Sequence, residues 1–421
     1  MSTTVITKRA EQVIARCLRL ASFSEDADST RRTFLSPPTH DCHCEIARWA
    51  GPLGIKVRID AAGNLRGVYP AAQPNAPTFL IGSHLDTVPN AGAYDGILGV
   101  VLAVTLLEEL KGRRLPFAIE ILGFSEEEGV RFGTPFIGSR ALVGRLDQQL
   151  LNIRDARGVS VLKAIKDFGL SPEEIPQAEL ENDALGYLEF HIEQGPVLES
   201  LDQPLAAVEA IAGQSRMEFT FSGRSNHAGT TPMHLRRDAV AAAAEWIGTV
   251  ERVAHEISGL VATVGKIGVK PGAANVIAAE AQLTLDVRHS SDDIRTRAVA
   301  DLIDHAQGIA QRRGLSVRHD TMLSQHAVAL DAFLKSEIEK AILKAGCKPH
   351  RMVSGAGHDA MILAERVPSA MIFLRTPGGI SHDPAETVLV EDVEKAIQCG
   401  LHLLDRLATL PEFHKKRAAK G

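Results

Sequence analysis

Histidines and carboxylates gather in this chain at the ends of apolar runs. Thr78-Phe79-Leu80-Ile81 leads into Gly82-Ser83-His84-Leu85-Asp86-Thr87-Val88-Pro89. A strand there delivers His84 and Asp86 two positions apart, so both point to one side. Tyr94-Asp95-Gly96 places a carboxylate where a helix-like segment begins. Read singly, His84 serves equally well as a core histidine and Asp95 as a helix N-cap. Glu126-Glu127-Glu128 shifts that balance, because it ends the apolar run 117–124 and meets Gly129. Three like charges so placed repel unless a cation compensates them, a solvated acidic turn being the other reading. His191 follows Phe190 on a further apolar run, and His382 lies in Gly378-Gly379-Ile380-Ser381-His382-Asp383-Pro384. Imidazoles and carboxylates in this mixture form a nitrogen and oxygen site for two divalent cations. Zinc or manganese suits such ligands, whereas a structural zinc site of the cysteine type does not. His255-Glu256 lacks the second histidine of a HExxH pair, which argues against a single-zinc metalloprotease.

These residues need strands and turns to present them. Residues 78–81, 117–124 and 188–192 read as strands alternating with helix-like segments, the pattern of an α/β sheet with functional groups beyond the strand ends. From residue 213 the texture changes. Met217, Phe219 and Phe221 alternate with polar residues, as in a strand with one solvated face. A helix-like stretch 237–249, strands 261–269 and 278–288, a helix 292–313 and a strand 316–322 complete a β-α-β-β-α-β order, that of a ferredoxin-like unit. The expected architecture is a catalytic domain with a mixed sheet flanked by helices, split into residues 1–212 and 327–421, with a smaller domain inserted at 213–326.

The 421-residue length favours two domains. With 45% hydrophobic and 23% charged residues and a net charge of −6, the chain reads as globular. It carries no long basic run, which argues against nucleic acid or an anionic membrane as main partner. Five cysteines, an odd number without a CxxC pair, suggest free thiols in a reducing compartment. Cys42-His43-Cys44 matches no zinc spacing. No signal-like N-terminus is evident, and the longest apolar stretch, 97–107, is about half of what a bilayer needs. A cytoplasmic location is expected.

The segments GSHLDTVPNAGAYDGILGV, FSEEEGVRFG, HIEQGPVLE, SNHAGTTPM, AANVI, SGAGHDA and GGISHDP resemble those of the M20 metallopeptidase and amidohydrolase superfamily, in its branch of allantoate amidohydrolases and N-carbamoyl-L-amino-acid hydrolases. HIEQG points to that branch, since the peptidase relatives usually carry an acidic ligand where this chain has His191. The resemblance implies that His84, Asp95 and His191 hold one metal ion and Asp95, Glu128 and His382 another, with Asp95 bridging. Zinc is the first candidate, with manganese, cobalt or nickel as others. Glu127 would be the general base, and Asp86 the carboxylate that orients His84.

Two such ions acidify a water and polarise a carbonyl, which is what hydrolysis of an amide or ureido bond needs. Glu127 would take the water's proton and return it to the leaving nitrogen. His227 matches the residue that steadies the tetrahedral intermediate, although by itself it reads as a turn histidine. Asn275, Arg288, Gln194, Gln214 and His358 are candidates for substrate contact, Arg288 because a guanidinium forks onto a carboxylate. A glycine turn capping the next helix accounts equally well for His358. The implied substrate is a small carboxylate-bearing molecule, allantoate or an N-carbamoyl-L-amino acid, with ammonia and carbon dioxide released. Hydrolysis of peptide or N-acyl bonds is the alternative. An extra cation at Arg375 would favour the more polar substrate. By resemblance the inserted domain closes as a lid and pairs with its counterpart in a homodimer, where the residue matching His227 reaches the partner's active site.

Overall fold

The computed structural model describes residues 3–181, 184–411 and 413. The chain forms two compact units, one of Met1–Glu209, Leu330–Met352 and His358–Gly421, the other of Ala210–Ala329 and Val353–Gly357.

The first unit is built on a mixed sheet whose strands run in the order Val57–Ile59, Leu65–Tyr69, Ala118–Phe124, Thr78–His84, Ala184–Ile192, Ser369–Leu374 and Leu205–Ile211. The four central strands, from Ala118–Phe124 to Ser369–Leu374, are parallel, and the flanking pairings are antiparallel. Every residue of Ala118–Phe124, Ala184–Ile192 and Ser369–Leu374 is buried, as expected of parallel strands covered on both faces. Parallel direction brings Phe124, His84, Ile192 and Leu374 to the same edge of the sheet. The residues that follow them therefore converge although they are far apart in sequence.

Helix Ile97–Glu109 covers one face and is buried at nearly every position, so its sequence is apolar all round rather than striped. At 13 residues it is a core helix, far short of the roughly 20 that span a bilayer. Among the described residues no helix is long and apolar enough to cross a membrane. Helices Thr3–Ala21 and Val390–Thr409 pack against it. The second of these buries Val393, Ala396, Ile397, Gly400, Leu403, Leu404 and Leu407, a helical spacing that aims one stripe at the core.

The second unit has an antiparallel sheet in the order Ser316–Gln325, Gly213–Ser222, Glu280–His289, Val261–Lys270, joined by helices Ala239–Glu256 and Asp292–Arg312. Strict alternation along Glu280–His289 buries Ala281, Leu283, Leu285 and Val287. With Phe219, Phe221 and the fully buried Trp246 they form a core of their own. The first helix starts at Ala239 because the Asp238 carboxylate accepts the N–H groups of Val240 and Ala241. Segment Val353–Gly357, which returns late in the chain, belongs to this unit. It is tied there by the Ala212 N–H donating to the Ser354 carbonyl at 2.9 Å and by Arg288 donating to the Gly355 carbonyl at 2.6 Å.

Candidate metal centre

The C-terminal edge of the parallel strands carries the residues that the sequence singled out. His84 is the last residue of its strand, and His191 is the next-to-last of its own. His84 Nδ1 lies 3.0 Å from the Asp86 main-chain carbonyl, and His191 Nδ1 lies 2.9 Å from that of Ile192. With Nδ1 donating, each ring turns the lone pair of Nε2 inward. The two Nε2 atoms are 3.4 Å apart, and Asp95 Oδ1 lies 3.3 Å from one and 3.2 Å from the other.

Two lone pairs held that close repel unless a cation lies between them. Around an ion with ligand bonds of about 2.0–2.1 Å, a tetrahedron has edges of roughly 3.3–3.4 Å, so this triangle has the size of one face. On the other side of Asp95, His382 Nε2 is 3.5 Å from Asp95 Oδ2 and 3.5 Å from Glu128 Oε1. His84, Asp95 and His191 form one group able to hold a metal ion, and Asp95, Glu128 and His382 another; in each, the ligand atoms lie within 4.8 Å of one another. The donor set fits two divalent cations sharing Asp95.

Backbone geometry makes this approach possible. Gly96 has φ +68°, and a Cβ there would run into the His84 ring, so glycine is required directly after the shared carboxylate. The acidic triplet divides its labour. Glu126, itself at φ +51°, turns inward, and its carboxylate accepts the N–H groups of Phe34, Arg131 and Phe132. It shapes the loop, while Glu127 and Glu128 face the cluster. Glu127 is buried beside His84 and Glu128, and its carboxylate accepts no hydrogen bond from the described residues.

Electrostatics report the crowding. Burial alone would push Asp95 up, but His191 and His84 hold its carboxyl well below the usual carboxylate range. Burial also works against a charge on His84, and the bond to Asp95 with the charge of Glu127 outweighs it, holding the imidazole well above its ordinary value. Burial pushes Glu127 well above the usual range, and with Asp95 nearby it raises Glu128 to about 8. A positive ion is what this set of groups demands.

Other expectations meet specific partners. The Asp86 carboxylate lies 3.8 Å from His84 Nδ1 and does not make the orienting bond; the Asp86 main-chain carbonyl does. Its oxygens instead accept the N–H groups of Glu127 and Glu128, each at 3.0 Å. Gln194 donates to Asp95 Oδ2 at 2.6 Å, which ties it to the candidate shared carboxylate. His358 is buried, with its ring centroid 4.5 Å from that of His191 and 5.7 Å from that of Phe373. It packs against His191 and Phe373 rather than facing open space. Arg375 forks onto Asp392 at 2.7 Å and reaches Asp202 at 2.9 Å. Its charge is committed to holding a strand end to helix Val390–Thr409, which corrects the expectation of a cation for substrate. Cys42, His43 and Cys44 share helix Pro37–Ala50 without converging: Cys42 and His43 are buried and Cys44 is exposed.

The remaining candidates lie in the second unit. His227 and Asn275 are exposed neighbours, linked by the Ala228 N–H donating to the Asn275 carbonyl at 2.9 Å. Arg288 donates to both oxygens of Asp286, at 2.8 and 3.2 Å, and to the Gly355 carbonyl at 2.6 Å. Gln214 donates to the same Asp286, so it and Arg288 form one polar cluster.

The sequence profile of peptidase family M20/M25/M40 matches residues 80–406. The chain belongs to this family. An allantoate deiminase of Glycine max is 36% identical, over 94% of this chain and 89% of its own length. An N-carbamoyl-L-amino acid amidohydrolase of Geobacillus stearothermophilus is 38% identical, over 86% of this chain and 90% of its own. The solved structure of an amidase of the hydantoinase/carbamoylase family from Burkholderia multivorans superposes with a TM-score of 0.89 at 29% identity, covering 94% of this chain and 97% of that one. Among M20 chains, then, this one is similar to those named for allantoate and carbamoyl substrates, in agreement with the histidine at position 191.

Sequence reading missed Glu386 and Ser381. Ser381 donates to Asp95 Oδ2 at 2.7 Å, and Glu386 accepts from the Asp95 backbone. The one signal for them was their place beside His382.

Proposed function

We propose that this protein is a dinuclear-metal amidohydrolase that cleaves the ureido or carbamoyl C–N bond of allantoate or an N-carbamoyl-L-amino acid, releasing ammonia and carbon dioxide. The observation that carries this reading is the pair of triads meeting at Asp95, with Glu127 buried beside them and unbonded among the described residues. The similarity to allantoate deiminases and to a carbamoyl-amino-acid amidohydrolase supports the substrate class. His84, Asp95 and His191 would hold one ion and Asp95, Glu128 and His382 the other, with zinc first and manganese, cobalt or nickel as alternatives. Bound there, the ions supply acidification of water and polarisation of the carbonyl.

The chain's own residues do the rest. Glu127 Oε accepts a proton from the attacking water and delivers it to the departing nitrogen. Its backbone is pinned by Asp86, which limits how far that carboxylate wanders. His227 is the proposed donor to the oxyanion, and Asn275, Arg288 and Gln214 the proposed substrate contacts, with Asp286 presenting the Arg288 fork. The second unit would serve as lid and dimerisation domain of a cytoplasmic homodimer. The edge strand Val261–Lys270, with Ile267 52% and Val261 58% exposed, supports that pairing.

The test is release of ammonia by metal-stripped protein reconstituted with zinc, manganese or cobalt. Substrates would be allantoate, N-carbamoyl-L-amino acids, N-carbamoyl-β-alanine, an N-acetyl amino acid and a dipeptide, with Glu127→Gln as control. The expected result is metal-dependent ammonia from a ureido substrate, abolished in the control. Hydrolysis of the N-acetyl amino acid or the dipeptide alone, read with ninhydrin, would replace this function with a peptidase or aminoacylase.

A further inference from the structure

Glu386 is buried, 4% exposed, and no lysine, arginine or histidine among the described residues forms an ion pair with it. Such a carboxylate is costly to keep unless its oxygens are placed with purpose. Oε1 accepts two consecutive main-chain N–H groups, of Tyr94 at 2.8 Å and of Asp95 at 3.0 Å. Gly92 closes on the same side chain so tightly that a Cβ there would run into Glu386. Oε2 lies 3.5 Å from Ser381 Oγ, whose shorter contact, 2.7 Å, is to Asp95 Oδ2. The carboxylate of Glu386 thus holds the backbone of Asp95, while the serine of the same segment and Gln194, at 2.7 and 2.6 Å, both donate to its side chain.

The two triads depend on this link unequally. His84 and His191 sit on buried strands, each fixed by its own bond to a main-chain carbonyl. His382 is on an exposed loop at φ +59°, its side chain 49% accessible. What ties that loop to Asp95 is the stretch from Ser381 to Glu386.

We propose that Glu386 is a positioning residue that orients Asp95 as the shared ligand and locks it to the loop bearing His382, so that occupancy of the Glu128–His382 side depends on it far more than that of the His84–His191 side. The inference rests on the two-ion reading above. Its work is hydrogen-bond acceptance. A glutamine amide oxygen can accept the same two N–H groups while its NH₂ donates to Ser381 Oγ, so Glu386→Gln should substitute well and Glu386→Ala should not.

The experiment is calorimetric titration of metal-stripped wild type, Glu386→Gln, Glu386→Ala and Ser381→Ala with Zn²⁺, and with Co²⁺ followed by its visible absorption. The expected result is two ions in the wild type and in Glu386→Gln. In Glu386→Ala the first ion should bind with unchanged affinity and the second at least tenfold more weakly, with loss of the matching part of the cobalt spectrum. If Glu386→Ala does not fold, Ser381→Ala, which cuts the same link at Asp95 Oδ2, carries the comparison and should weaken the second ion alone. Wild-type affinities at both sites in Glu386→Ala and Ser381→Ala, or equal weakening of both sites, would overturn the proposal. A wild type that binds a single ion would overturn the two-ion reading itself and this inference with it.

Discussion

Replacing Asp86 by asparagine separates two ways in which this residue can act. Its carboxylate accepts the N–H groups of Glu127 and Glu128 at 3.0 Å each, whereas His84 Nδ1 is held at 3.0 Å by the Asp86 main-chain carbonyl, which the substitution leaves in place. Asparagine keeps one acceptor oxygen and turns an NH₂ toward the other N–H. One charged hydrogen bond is lost at a buried position, a cost of about 1.5–3 kcal/mol. At about 2 °C per kcal/mol for a chain this large, Tm should fall by roughly 3–6 °C. The freed segment is the one that aims Glu127, and a displacement of about 1 Å in a catalytic group costs on the order of 100-fold. Ammonia release should therefore drop by about one to two orders of magnitude. The metal-stripped variant should still take up its first ion with wild-type affinity, because His84, His191 and Asp95 keep their contacts. Thermal melts, metal titration and the ammonia assay on the same preparation measure all three. Loss of the first ion as complete as in His84→Ala would refute the reasoning and assign the carboxylate a direct hold on His84 across 3.8 Å.

Arg375→Ala should lower stability by about 3–5 kcal/mol, because it strands the buried Asp392 without its fork. It should leave the ratio of allantoate to N-carbamoyl-amino-acid turnover unchanged, as urea unfolding and paired assays would show. Burial works to raise the carboxyl of Glu337, but Lys340 and Arg406, each 2.6 Å away, hold it below the usual range. Its stabilisation is therefore present above the unfolded glutamate value of about 4.3 and is lost as pH falls through the lower folded value. Glu337→Gln should cost about 1 kcal/mol near neutrality, both cations being partly exposed. Urea midpoints should show that gap narrowing as the pH is lowered toward about 4. Ile267→Lys, at an exposed edge-strand position, should change monomer stability by less than about 0.5 kcal/mol. On the proposed pairing through this edge, it should shift the protein toward monomer in size-exclusion chromatography with light scattering, and an unchanged elution would remove the edge from that role.

A candidate nitrogen and oxygen site was legible in residue type, and the choice of candidate ligands within it came from the family resemblance. His84, Asp95, Glu128, His191 and His382 stand beside apolar runs and glycine turns, and the structure brings these five into two triads. Sheet order was not legible. Strands Thr78–His84 and Ala184–Ile192 are neighbours across a long stretch of chain, and nothing local encodes such a pairing. Helix Ala239–Glu256 runs past the expected end at 249, because its last turns are held by packing against the sheet, with Val250 and Val253 buried, rather than by a stop signal.

By itself the sequence determined the strand and helix periods and placed histidines and carboxylates at the ends of apolar runs, because side-chain chemistry and local backbone preference act over a few residues. The candidate ligand set and Glu127 came from the family resemblance of the motifs that hold them. Only the tertiary structure decided what each group spends its bonds on. Asp86 holds a backbone rather than a ring, Glu126 closes a loop, Arg375 serves Asp392, and Glu386 braces Asp95. A carboxylate or guanidinium carries the same charge in every context. Its partner is set by which distant backbone or side-chain atom the fold brings within about 3 Å, and that depends on the whole chain at once.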